Sequence, residues 1–179
     1  MIGGDFEVIR VRDKGPGINE KNSFASPTPI VGGDRIYVHF GFYGTACVSA
    51  GGELLWRQTL KYEPQHGPGG SPVLFEDLLI FSCDGFDVQF VVALDSATGK
   101  IRWKTARGKG NQAYTTPLLI EVDGKPQVIS PGAIALTHTI HAVARNSGSS
   151  SMAMDSPTSR QRFTRTGSST FVLDSFSHC

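Results

Sequence analysis

Charge is scarce in this chain of 179 residues: Asp, Glu, Lys and Arg together make up 18%, and the formal net charge is +1. So even a balance excludes a polyelectrolyte tail and supplies no bulk basicity for holding nucleic acid. Hydrophobic residues, at 39%, are enough to build a core, so the composition is not that of a charge-extended disordered chain. Cysteine is scarcer still. Cys47, Cys83 and Cys179 form no C-x-x-C pair and have no Cys/His spacing suited to zinc. Cys47 and Cys83 sit inside apolar, strand-like runs, which reads as free buried thiols; a disulfide between them is the other reading. No apolar run reaches bilayer-spanning length, and Met1 to Phe6 has neither the basic nor the apolar region of a secretory signal. The partner expectations are therefore no nucleic acid and no membrane span.

Turn formers are plentiful: Gly 21 and Pro 10 favour many short strands over long helices. The strands recur. Ser26-Pro27-Thr28-Pro29-Ile30-Val31 returns as Gly70-Ser71-Pro72-Val73-Leu74 and again as Thr115-Thr116-Pro117-Leu118-Leu119. Aligning Pro29, Pro72 and Pro117 gives a period of about 45 residues, the range of four-stranded propeller blades. Each copy continues through a polar turn into a second strand: Arg35 to Val38, Leu78 to Phe81, and Gln127 to Ser130. Glycine-bearing breaks follow at Gly41 to Gly44, Asp84-Gly85 and Pro131-Gly132. The first two copies add a third strand, Thr45 to Val48 and Phe90 to Leu94, and a fourth ending in Trp56 and Trp103. The expected fold class is all-β, a partial β-propeller of four-stranded antiparallel blades, about two and a half of them.

The second copy closes on Ala93-Leu94-Asp95-Ser96-Ala97-Thr98-Gly99-Lys100-Ile101-Arg102-Trp103. Asp95 is suited to hydrogen-bond the turn backbone, and Gly99 to take the left-handed conformation that ends it. Lys100 starts the outgoing strand, Ala93 leaves room for close packing, and Trp103 offers a flat surface and an N–H to a neighbouring blade. The first copy keeps the turn and Trp56 but loses the aspartate. This motif resembles the tryptophan-docking repeat of the quinoprotein-type, PQQ-like propellers, BamB-like repeats among them, over about residues 25 to 133. The structural docking set is thus Ala93, Asp95, Gly99, Lys100, Trp103 and Trp56. The resemblance implies a protein-interaction or assembly scaffold of the bacterial envelope or periplasm, non-catalytic, with a protein partner and no cofactor. Its alternative is part of a PQQ- and calcium-dependent dehydrogenase.

Chemistry-bearing residues are sparse. Asp84, Asp87 and Asp95 carry oxygens a calcium ion could take, against the plainer reading that Asp84 and Asp95 are turn formers and Asp87 is solvated. His39 ends a strand and His66 lies in a loop entering the next blade, where structural or exposed roles outweigh ligand binding. Gly67 to Gly70 present backbone N–H groups but lack the Lys-Ser/Thr of a P-loop. Lys104 to Lys109 reads as a solvated interblade loop. The alternating Phe6 to Arg12 reads as a strand, with Asp13 to Asn22 as a loop.

The expected organisation is 1–24, the end of a preceding blade plus interblade loop; 25–66, a blade; 67–113, a blade; 114–133, the start of the next; and 134–179, a non-propeller tail. A closed ring of six to eight blades would need on the order of 270 to 360 residues, so a piece of a larger chain is expected. The tail lacks Lys, Glu, Trp and Tyr. Codons for His138 through Asp155 can be chosen so that a shifted frame reads Tyr-Asp-Pro-Arg-Ser-Gly-Lys-Glu-Leu-Trp-Lys, about one blade period after Leu94 to Lys104. Arg165 to Phe171 similarly yield His-Gly-Leu-Val-Tyr-Val. The tail is expected to be frameshifted or disordered, a natural Ser/Thr-rich disordered tail being the other reading.

Overall fold

Two antiparallel meanders of four strands each carry the repeat. The computed structural model describes residues 23–63, 66–107 and 111–132, and the strand backbones of 139–142, 162–166 and 170–174. The expected strand Phe6 to Arg12, the loop Asp13 to Asn22 and Cys179 lie outside the described residues. The first sheet runs β1 (Ile30–Gly32), β2 (Arg35–His39), β3 (Thr45–Ser49) and β4 (Leu54–Gln58), with a short 3-10 turn at Gly41–Tyr43. The second runs β5 (Val73–Phe75), β6 (Leu78–Asp84), β7 (Gln89–Asp95) and β8 (Ile101–Ala106). The third holds β9 (Leu118–Val122), β10 (Lys125–Ser130) and β11 (Thr139–Ala142), in the order β11-β10-β9. Expected strands and observed strands coincide in place, though β6 and β8 run about three residues further before their ladders end.

The alternation of the strands sorts their side chains into two cores. Tyr37, Cys47 and Trp56 of the first sheet meet Leu79, Phe81, Phe90, Val92 and Leu94 of the second. On the other face of the second sheet, Leu78, Ile80, Val91 and Ala93 meet Val128 of the third. β6 is therefore buried along its whole length. It reads as a continuous apolar run because each of its faces has a sheet against it.

The repeated Ser/Thr-Pro step links the sheets at their inner strands. The Thr28 N–H donates to Ser71 Oγ at 2.9 Å, and the Ser71 N–H donates to Thr116 Oγ1 at 2.9 Å. Each proline fixes an extended entry, and the hydroxyl before it satisfies the backbone N–H of the sheet before. The two bonds span 43 and 45 residues, which is the period itself.

Strand backbones are described in the tail as well. β11 pairs with β10, Ile140 opposite Ile129, and β12 (Arg162–Thr166) with β13 (Thr170–Asp174) forms a separate hairpin, so the segment is not without elements. β11 takes the edge of β10 that β9 leaves free.

Candidate functional site

The first sheet reaches into the second through its last strand. The Trp56 indole N–H donates to the Ser96 carbonyl at 2.9 Å, 40 residues ahead, across the turn between β7 and β8. Beneath the indole lies Gly99, at φ +72°, where an added Cβ would stand 2.5 Å from the ring. Only glycine meets both demands: the left-handed backbone and the contact with the ring. Asp95 Oδ1 accepts from the N–H groups of Ala97 and Thr98 and from the Thr98 hydroxyl, at 3.1, 2.9 and 2.8 Å. Its other oxygen takes Arg102 at 3.0 Å, and Arg102 also bridges to Asp77. Partial burial works against its charge, but the Thr98 bonds and Arg102 hold the Asp95 carboxyl below the usual carboxylate range. Ala93 is fully buried opposite Trp103, and Lys100 is exposed at the start of the outgoing strand.

At the ends of β6 and β8, an ion pair is buried between the second and third sheets. Arg107 Nη2 bonds Asp84 Oδ1, and their side chains are 2% and 4% exposed. Arg107 Nη1 donates to Ser130 Oγ at 2.8 Å and to the Pro131 carbonyl at 3.0 Å, while Asp84 Oδ2 accepts the Tyr114 N–H at 2.9 Å. Lys104 to Lys109 is accordingly not a solvated loop where it is described. Lys104 lies in β8 with its ammonium 3.6 Å from the Phe90 ring centre, and Arg107 is buried. The guanidinium turns inward because a carboxylate and several oxygens meet it there.

Gly67, Gly69 and Gly70 line a cavity beside this pair of about 10 Å³, the space of one water. A Cβ on Gly70 would stand 2.4 Å from the Thr115 carbonyl, so that glycine serves close packing. His66 sits 6.2 Å from the Tyr114 ring. His39 is buried between the first and second sheets, 4.4 Å from the Phe81 ring, with Nδ1 on Thr45 Oγ1 at 2.8 Å and Nε2 without a partner. Burial lowers its pKa to about 4. Cys47 and Cys83 are free buried thiols, and burial pushes the Cys83 thiol well above its usual range, away from the reactive thiolate.

The three aspartates do not converge. Asp84 is held by Arg107 and Tyr114, Asp95 by its own turn, and Asp87 Oδ1 accepts the Glu63 N–H at 2.8 Å. That bond holds the Asp87 carboxyl below the usual range. Among the described residues no group of three or more His, Cys, Asp or Glu is placed to hold a metal ion. These residues do not fit a calcium site.

One feature has no counterpart in the repeated motif. The loop after β6 is pinned at three points: Phe86 N–H to the Glu63 carbonyl at 2.7 Å, Gly85 N–H to the Val88 carbonyl at 2.9 Å, and Asp87 to Glu63. It holds Phe86 outward, 74% exposed, with Val88 beside it. Next to the loop, Phe42, Leu60, Lys61, Tyr62, Glu63 and Asp87 border an open cleft of about 330 Å³. Its trace in the sequence is the aromatic between Gly85 and Asp87, residues that otherwise announce only a turn.

Sheets stacked face to face at a fixed period, each answering the last strand of the one before, define a partial β-propeller. Residues 44–128 match the family described as outer membrane protein assembly factor BamB, and the repeats are similar to PQQ-like repeats of the BamB type. Among solved structures the chain is similar to BamB from Moraxella catarrhalis, at 18% identity and a TM-score of 0.40, over 56% of this chain. It spans about a third (32%) of that structure's length. No curated protein matches it. Among the described residues no helix is long and apolar enough to cross a membrane.

Proposed function

We propose that the chain is part of a non-catalytic, cofactor-free scaffold of the bacterial envelope, and that it engages a protein partner through the rim around Phe86. The observation that carries this reading is the pinned loop that keeps a large aromatic exposed beside an open cleft. An aromatic on a backbone that is already fixed loses less conformational freedom on binding and suits an anchor. The charged residues around it, Lys61, Glu63 and Asp87, make a polar rim of the kind that surrounds such anchors. The BamB-type repeats support the assembly role and the envelope location.

A photo-crosslinking side chain at position 86 tests the reading, with position 53, exposed in the turn between β3 and β4, as the control. Against a bacterial envelope extract, position 86 is expected to give discrete adducts with protein and position 53 none. Equal labelling from both positions would count against the rim. The dehydrogenase alternative is checked separately by adding PQQ and calcium and assaying dye-linked alcohol or sugar oxidation. No turnover above background is expected.

A further inference from the structure

Tyr114, on the approach to the third sheet, has a left-handed backbone at φ +53°, a conformation that a bulky residue keeps only where its surroundings hold it. Two contacts do so. Its N–H donates to Asp84 Oδ2 at 2.9 Å. Its Cβ lies over Gly69, where an added Cβ would stand 2.6 Å away. The side chain so placed ends in a hydroxyl that is buried and meets no hydrogen-bonding group of the protein. Burial and the Asp84 carboxylate raise the pKa of this phenol, so it keeps its proton and remains a donor at neutral pH.

Tyr114 is one wall of the cavity of about 10 Å³, with Tyr62, Ser82, Asp84 and the run Gly67 to Gly70. The other polar walls have acceptor capacity to spare. Asp84 gives one oxygen to Arg107 and the other to the Tyr114 N–H, and each oxygen keeps a further lone pair. The Tyr62 hydroxyl donates to the Cys83 thiol, which leaves its oxygen able to accept. Ser82 Oγ lies 2.9 Å from Ser130 Oγ, at the edge of the same network.

We propose that this cavity is a binding site for one water molecule, which accepts the Tyr114 O–H and donates to two of the oxygens offered by Asp84, Ser82 and Tyr62. Size and charge select the ligand. The room suffices for one water and for no larger polar molecule. Asp84 and Arg107 neutralise each other beside it, so an anion would face the carboxylate and a cation the guanidinium. With three partners the water has the coordination usual for buried water. It ties the end of β6 to the entry of the third sheet, through the one hydroxyl there that no protein group answers.

A crystal structure of the full chain, at a resolution that orders buried waters, tests this. One oxygen-sized peak at full occupancy is expected within hydrogen-bond distance of the Tyr114 hydroxyl. In solution, water-selective nuclear Overhauser spectra are expected to show a long-lived water at the α protons of Gly69 and Gly70. Tyr114→Phe keeps the ring and removes the donor. It is expected to keep the circular dichroism spectrum and to lose both the peak and the cross-peaks. Should Tyr114→Phe fail to fold, the wild-type crystal and spectra decide alone. A cavity without density between well-ordered walls would overturn the proposal. So would a peak with the anomalous signal of chloride or the short contacts of a metal ion. A water that stays at full occupancy in folded Tyr114→Phe would overturn it too, since the hydroxyl would then not be its anchor.

Discussion

His39 shows how one buried side chain can set the acid sensitivity of an interface. Its ring lies between two sheets against Phe81, and burial lowers its pKa from 6.5 to about 4. The unfolded chain therefore takes up a proton on this residue at a higher pH than the folded chain does. His39 contributes stability that is complete above about pH 6.5 and is lost as the pH falls toward 4, on the order of 3 kcal/mol across that window. Urea unfolding at several pH values between 7 and 4 is expected to show this slope, and His39→Gln to flatten it. An equal slope in both proteins would place the acid sensitivity elsewhere. Only half of this was legible in the sequence. The apolar alternation of Arg35 to Val38 placed His39 at a strand end, but its burial depends on Phe81, a residue of another sheet.

At the scale of elements, the strand ends and the turns they meet act as pairs. Trp56→Phe keeps most of the ring and removes the bond to the Ser96 carbonyl, an expected loss of about 1 kcal/mol. Gly99→Ala strains a left-handed backbone and pushes a methyl group against the indole, an expected loss of about 1–3 kcal/mol. Because the two changes act on one contact, thermal unfolding of the double variant is expected to show less than the summed loss. Additive losses would mean that the ring and the turn do not work together. The turn itself was legible, since Asp95 and Gly99 have local jobs that their residue types announce. The Thr28–Ser71–Thr116 linkage was visible only as a repeated spelling. Its reason is a bond to a residue one full period away, which no local pattern contains. Asp84 and Arg107 escaped for the same reason: each reads as a loop residue until the third sheet covers them.

For the whole molecule, repetition made the architecture readable, because one blade that cannot bury both faces requires a neighbour. The tail is where sequence and repeat part company. Resequencing the codons from Ser130 to Ser156 is expected to show that a single-base correction restores Tyr-Asp-x-x-x-Gly-Lys-x-x-Trp. Confirmation of the frame as written would make the tail a genuine departure from the repeat. The forward reach of Trp56 also bears on how the protein is made. A ribosome delivers the chain from its N-terminus, so the indole emerges some 40 residues before the carbonyl that answers it. The first sheet can form its own ladder early, but its outermost strand stays unlatched until the following turn has left the exit tunnel. Synthesis therefore runs one unit ahead of completion, and a pause just after Trp56 would leave that latch open for as long as the pause lasts.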